Sequence, residues 1–300
     1  MRESLATPRS SWALLRVLRP HQWVKNLLVM VPALAAHRFD FESVGLALLA
    51  VMAFSLCASA GYIFNDIGDR ETDSQHPGKC FRPIAAGLLS VRDGIVAAMF
   101  LFAMALLLAV TILPPGFAIV LICYLLMSTA YTLLVRQLPW ADILALTLFY
   151  IMRLFAGSLA VGVPLSAWLV VFAACLFLSL AILKRCAELR LAIRLGHAAL
   201  IGRPAYATRY LRSLEVAGMI SSSAALLVLG GYVTSDTTAS SYREPLWLWG
   251  CWASLTMWMA LAWVRTRADS MPDDPVLFAI SDKRSLALTA MAVLFVVAAI

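Results

Sequence analysis

Long apolar runs separated by short polar or Pro/Gly-rich connections dominate the chain. They lie at roughly 20–37, 44–63, 94–113, 117–135, 142–163, 166–183, 216–233, 246–264 and 286–300. Each is long enough, or nearly so, to cross a hydrocarbon core of about 30 Å. The pattern predicts an all-α polytopic membrane protein. About nine transmembrane helices would bundle around a central cavity, as a single integral-membrane domain over residues 1–300. The apolar core of the first run, Leu27 to Ala36, is short, and its Ala-rich end resembles a signal-peptide cleavage site. Pro20, Trp23 and Lys25 ahead of it read instead as the interfacial entry of a retained helix.

Composition excludes the main alternatives. At 62% hydrophobic and 14% charged the chain is far from a soluble domain, which runs nearer half apolar and a quarter charged. Net charge is +7, from 24 Lys and Arg against 17 Asp and Glu. With the N-terminus inside, the segments 1–25, 64–93, 136–141, 184–214 and 265–285 hold 21 of the 24 bases, and the outer loops hold Arg38 and Arg243. That asymmetry predicts a multi-pass protein of the cell (inner or plasma) membrane with its larger loops cytoplasmic, and it explains the positive charge without nucleic acid. The six cysteines form no C-x-x-C and sit mostly within apolar runs, so they read as packing residues.

Candidate chemistry gathers after the second run. Asp66, Asp69 and Asp73 are spaced i, i+3, i+7, which on a helix puts them on one face beside Asn65. Three aligned carboxylates repel one another unless a cation lies among them, and hard oxygen ligands suit Mg²⁺ bridging to a substrate phosphate. A solvated helix end paired with Arg70, Lys79 and Arg82 is the plainer reading of such a loop. The apolar run Leu56 to Phe64 directly before it places these acids at the membrane, where isolated carboxylates are costly, and favours function. Lys79 and Arg82 follow, in a loop stiffened by Pro and Gly, at a spacing that could reach a bound phosphate.

Arg153 lies about 16 Å along the fifth run at 1.5 Å per residue. Its insertion costs roughly 2.5–3.5 kcal/mol, offset by about 5 kcal/mol from the ten Leu, Ile, Val and Phe around it. It must therefore face the protein interior, either as an anion contact or as a structural partner for Asp142 or a helix backbone. Lys25, Lys184 and Arg185 at span ends would ordinarily be snorkelling anchors. The basic stretch 190–214 has the spacing of an amphipathic helix on anionic lipid, or of a cap over a site. Asp273, Asp274 and Asp282 carry no assigned chemistry beyond support of a metal or of a ribose hydroxyl.

These residues carry a family resemblance. Asn65-Asp66-x-x-Asp69-x-x-x-Asp73 after the second helix resembles the UbiA-type intramembrane prenyltransferases, helical bundles that bind a diphosphate through Mg²⁺ at Asp-rich loops. Arg19-Pro20-His21-Gln22-Trp23-Val24-Lys25-Asn26, Phe81-Arg82-Pro83-Ile84-Ala85-Ala86-Gly87, Tyr150-Ile151-Met152-Arg153 and Lys184-Arg185-Cys186-Ala187-Glu188-Leu189 are similar to the polyprenyl-phosphate phosphoribosyltransferase branch. The likeness runs from about residue 16 to about 285. It departs from the wider family where a second Asp motif is replaced by Lys184, Arg185 and Glu188. A further departure is Cys186, where close relatives of the branch carry Tyr.

The resemblance implies Mg-dependent transfer of a 5-phosphoribosyl group from phosphoribosyl pyrophosphate to a polyprenyl phosphate, for cell-envelope glycan precursors. It implies Asp66, Asp69, Asp73 and Asn65 at the metal. Lys25, Asn26, Asn65, Lys79, Arg82, Tyr150, Arg153, Lys184, Arg185 and Glu188 would then contact substrate. Two rival readings are a prenyl diphosphate:aromatic acceptor prenyltransferase, which would favour the missing second motif, and a transporter. The transporter predicts charged groups at mid-bilayer in two repeat-related helices, whereas only Arg153 lies at that depth.

Overall fold

Helix starts are set by side chains that take up the first orphan backbone N–H groups. Asp40 accepts from the Ser43 amide (2.9 Å), Ser90 from Asp93 (3.1 Å) and Ser166 from Leu169 (3.1 Å). Pro115 begins a fourth helix, and Gly162, at φ +66°, follows the end of a fifth. The structure, a computed structural model, describes residues 11–75, 78–200, 203–272 and 274–300. His76, Pro77 and Asp273 lie outside the described residues.

The helices in order are α1 (Ser11–Leu18), a 3₁₀ helix (Pro20–Met30), α2 (Val31–Ala35), α3 (Phe41–Gly68), α4 (Arg70–Ser74), α5 (Val91–Thr111), α6 (Pro115–Leu133), α7 (Pro139–Val161) and α8 (Ala167–Arg194). A two-stranded antiparallel hairpin follows, β1 (Ala199–Leu200) and β2 (Arg203–Ala207), with Ala199 opposite Ala207. Then come α9 (Leu211–Val233), α10 (Asp236–Ser241), α11 (Leu248–Arg267), α12 (Pro275–Ser281) and α13 (Lys283–Ala299). The stretch 190–214 is thus the end of α8, a hairpin and the start of α9, and not the amphipathic helix its basic spacing allowed.

The protein is a multi-pass, almost wholly helical membrane protein. Among the described residues six helices have the length and apolarity to cross a bilayer: α3, α5, α6, α7, α8 and Thr208–Val233. The count of nine is not borne out. The first run divides into the 3₁₀ helix and α2, and α13 has only 17 residues. Four Trp, Arg265 and Arg267 lower the apolarity of α11. Large side chains such as Val110 and Leu227 stay over 70% exposed, as expected of surfaces that meet acyl chains.

The fold divides into two compact units, residues 1–136 with 152–164 and residues 137–151 with 165–300. In the first, Val17, Ala60, Ile63, Ile84, Ala98 and Leu101 form a core against α3 and α5. The 3₁₀ helix approaches α7 so closely that a Cβ on Gly157 would lie 1.9 Å from the Val29 carbonyl oxygen. In the second, Gly218 of α9 admits the Trp263 ring, and the Trp263 indole donates to Ser222 (2.9 Å).

The 3₁₀ winding of the first segment has a physical reason. Trp23 Nε1 donates to Ser59 Oγ (3.0 Å) and Asn26 Nδ2 donates to Ser55 Oγ (3.0 Å). Three residues at about 2.0 Å rise cover the same ~6 Å as the four α3 residues between Ser55 and Ser59 at 1.5 Å. At three residues per turn, Trp23 and Asn26 also eclipse, so both face α3. An α-helix would cover only about 4.5 Å and rotate them apart.

Candidate active site

The first unit builds its polar site on one face of α3. Ser55, Ser59, Tyr62 and Asp66 recur at i, i+4, i+7 and i+11 and therefore line up along the helix. The preceding segment runs antiparallel to them, with Asn26 on Ser55, Trp23 on Ser59 and Arg19 on Asp66. Arg19 holds a left-handed backbone, φ 52°, which turns the chain from α1 into the 3₁₀ helix. Its guanidinium donates to Asp66 Oδ1 and lies 5.6 Å from the Tyr62 ring centre.

The three aspartates do not ride on one continuous helix. α3 ends at Gly68, Asp69 takes a non-helical turn, and α4 restarts at Arg70. Asp66 and Asp73 are both buried and are bridged by Arg82, whose Nη1 lies 3.2 Å from Asp66 Oδ1 and 2.5 Å from Asp73 Oδ2. Asp69 pairs with Arg136, beyond the end of α6. Asn65 accepts a hydrogen bond from Thr132. Arg19, Arg136 and Thr132 were not among the sequence candidates. Arg19 opens the motif that holds Lys25 and Asn26, whereas nothing in the local sequence marks the other two.

These residues can be tested against a divalent cation. Among the described residues no three Asp, Glu, His or Cys side chains converge on one point, because arginines lie between the carboxylates. Asp66 Oδ2 is nonetheless buried with no hydrogen-bond donor among the described residues. A buried anionic oxygen without a donor is costly unless a cation completes it, and hard carboxylates suit Mg²⁺. Asp66 thus offers one open oxygen whose chemistry fits the ion.

Arg153 is 3% exposed, as its intramembrane position required. Its Nε donates to Asn26 Oδ1 (2.9 Å) and its Nη2 to the Tyr124 hydroxyl (3.2 Å), while its guanidinium lies over the rings of Phe54 (5.0 Å) and Tyr124 (5.3 Å). The structure thus joins Asn26 to Arg153, two candidates 127 positions apart. Lys25 is half-buried and Lys79 exposed in the same unit.

The second unit holds Tyr150, Lys184, Arg185 and Glu188. Asp142 takes Arg185 as a bidentate partner, with Nε–Oδ2 2.6 Å and Nη2–Oδ1 2.9 Å. The remaining arm of Arg185 reaches Glu188, and the Tyr206 hydroxyl of β2 donates to Asp142 Oδ2 (2.6 Å). Arg185 is 1% exposed, so this geometry makes it first an organiser of Asp142 and Glu188. Lys184 beside it is half-buried, and Tyr150 stacks on Phe177 at 4.5 Å.

Fold and site together define a polytopic, almost wholly helical membrane protein with an acidic motif at the end of one spanning helix. Residues 26–287 match the profile of the UbiA prenyltransferase family, a family of transferases. The chain belongs to that family. It is 32% identical to the uncharacterized protein y4nM of Sinorhizobium fredii over 93% of this chain and 54% of that protein. It is 38% identical to the decaprenyl-phosphate phosphoribosyltransferase of Mycobacterium tuberculosis over 66% of this chain and 67% of that one. The chain thus spans about half to two thirds of these relatives' lengths. A UbiA homolog from Archaeoglobus fulgidus bound to GPP and Mg²⁺ shares the fold, with a TM-score of 0.61 at 15% identity over 95% and 97% of the two chains.

Proposed function

We propose that the protein transfers a 5-phosphoribosyl group from phosphoribosyl pyrophosphate to a polyprenyl phosphate, releasing pyrophosphate, as a step in making cell-envelope glycan precursors. The observation that carries this reading is the buried Asp66–Arg82–Asp73 cluster, with Asp66 Oδ2 lacking a donor among the described residues. The 38% identity to a decaprenyl-phosphate phosphoribosyltransferase supports the choice of group transferred. So do Lys184, Arg185 and Glu188 in place of a second Asp motif.

Asp66, Asp69 and Asp73, with Asn65 alongside, would hold Mg²⁺, which when bound neutralises charge on the departing pyrophosphate. Lys25, Lys79, Arg82, Arg153 and Lys184 are assigned to the phosphates of donor and lipid. Arg185, Glu188, Asn26 and Tyr150 are assigned to shaping those contacts. An oxygen of the lipid phosphate forms a bond to ribose C1 as the bond from C1 to the pyrophosphate oxygen breaks. The attacking oxygen is already anionic, so no side chain has to remove a proton. The protein's contribution is placement and charge complementarity. The N-terminus and the loops bearing these residues are assigned to the cytoplasmic side of the cell membrane by their excess of bases.

The test uses full-length protein in detergent with Mg²⁺, polyprenyl phosphate and labelled phosphoribosyl pyrophosphate. Label should enter the lipid fraction, and Asp69→Asn should abolish it. No incorporation by the wild type, or full incorporation by the variant, overturns the proposal. Labelled prenyl diphosphate with an aromatic acid checks the alternative prenyl transfer.

A further inference from the structure

The second unit carries an open groove of about 550 Å³ whose residues the proposed reaction does not use. The turn Thr208–Tyr210, the start of α9 and the end of α11 form it. Arg209, Arg212 and Arg267 line it with Glu215, Val216 and Met219. All three arginines are exposed. The single carboxylate is already neutralised from outside the groove, since Arg190 Nε and Nη2 lie 3.0 and 2.6 Å from Glu215 Oε1. The other contacts in the groove leave positive charge available. Arg209 donates to the Tyr210 hydroxyl (3.0 Å), and Arg267 Nη2 contacts Met219 Sδ (3.4 Å) with its Nε 3.9 Å from Glu215 Oε2. Arg212 has no hydrogen bond or ion pair among the described residues.

The groove is also continuous with an apolar track. Val216, Ile220 and Leu227 recur at i, i+4 and i+11 along α9 and are 46%, 65% and 76% exposed. They share one face of a helix long enough to cross a bilayer. A cationic groove at the head of such a track complements one kind of ligand, an amphiphile with an anionic head and an apolar chain. Guanidinium groups match phosphate oxygens in pairs, which makes phosphate the fitting head.

We infer that this groove binds the phosphate head group of an anionic membrane phospholipid, with an acyl chain lying along Val216, Ile220 and Leu227. The site anchors the start of α9 to the leaflet on that side. It does not depend on which reaction the protein performs.

Full-length protein exchanged into detergent with equal amounts of phosphatidylglycerol and phosphatidylcholine provides the test, read by native mass spectrometry of retained lipid. The wild type should retain phosphatidylglycerol several-fold over phosphatidylcholine, and Arg209→Gln/Arg212→Gln should bring the two to parity. Arg212→Gln alone disrupts no side-chain partner among the described residues, so it serves if the double variant does not fold, and it should lower the preference part-way. Val216→Ser/Ile220→Ser should lower retention of phosphatidylglycerol while leaving any binding of inorganic phosphate unchanged. Equal retention by wild type and arginine variants overturns the proposal. So does displacement of the lipid by millimolar inorganic phosphate with no sensitivity to the serine pair, which would make the groove a site for free anions.

Discussion

Arg19 and Asp66 stand 47 positions apart, and the Arg19 guanidinium donates to the Asp66 carboxylate at the end of α3. This pair ties the turn into the 3₁₀ helix to the first aspartate of the acidic motif. Replacing Arg19 with Ala leaves a buried carboxylate with Arg82 as its remaining arginine partner. Transfer to lipid should fall at least tenfold, about 1.4 kcal/mol of barrier, with a lower Tm. Arg19→Lys should recover stability better than activity, because an ammonium keeps the charge without the planar fork. Labelled incorporation alongside thermal unfolding in detergent measures both.

Arg153 holds Asn26 through Nε. Arg153→Met keeps the length and removes the donor, so the buried Asn26 amide oxygen loses this partner at a cost of about 1–3 kcal/mol. Asn26→Ala should be less severe, since the guanidinium keeps Tyr124 and its two aromatic faces. Chemical or thermal unfolding of the purified variants ranks them.

Asp142 and Arg185 form a buried bidentate pair. Asp142→Asn alone should destabilise by about 3–5 kcal/mol, because it leaves a buried guanidinium with reduced compensation. Asp142→Asn with Arg185→Met should cost less than the sum of the single changes. A double-mutant cycle on unfolding midpoints reads the coupling, and strict additivity would refute the pairing.

Gly157 allows the 3₁₀ helix to lie against α7, with its missing Cβ 1.9 Å from the Val29 carbonyl oxygen. That atom is backbone and cannot swing away. Gly157→Ala should therefore lower Tm sharply and reduce the yield of monodisperse protein. Gly45→Ala, where no atom lies within 4 Å of the added carbon, should leave both unchanged.

The cap of α3 has a defined pH response. The Ser43 backbone amide, the Ser43 hydroxyl and Arg38 hold the Asp40 carboxyl down to about 2. A carboxyl lowered on folding stabilises the helix start above its unfolded value near 3.9, and this is lost as pH falls through about 2. Hydrogen exchange at residues 41–44, corrected for intrinsic rates, should accelerate across that window. In Asp40→Asn, which caps without titrating, it should not.

The sequence was most legible where one residue type decides the outcome. Apolar length marked nine runs as helices, and eight of them form single α-helices while the first divides into the 3₁₀ helix and α2; bilayer thickness and hydrogen-bond satisfaction leave little choice. Arg153 had to be buried, and it is. The motif aspartates were also legible, but not their arrangement. The i, i+3, i+7 spacing presumes an unbroken helix, whereas the chain turns at Asp69 and sends its side chain to Arg136. The pattern Ser55, Ser59, Tyr62, Asp66 inside an apolar run was a readable sign of a polar helix face, and it points to the same site.

The sequence by itself determined that this chain lives in a membrane, which segments are helical and which family it belongs to. Those properties follow from local composition and from motifs that survive without knowledge of neighbours. Tertiary structure alone decided the partners. Asp142 takes Arg185, Arg153 takes Asn26, and Asp66 takes Arg19 and Arg82. It also decided the winding of the first segment, whose 3₁₀ rise matches Trp23 and Asn26 to two serines on α3. The physical reason is common to all of these. A buried charge or donor is satisfied by whatever packing brings within about 3 Å, and sequence spacing sets that distance only within a single helix.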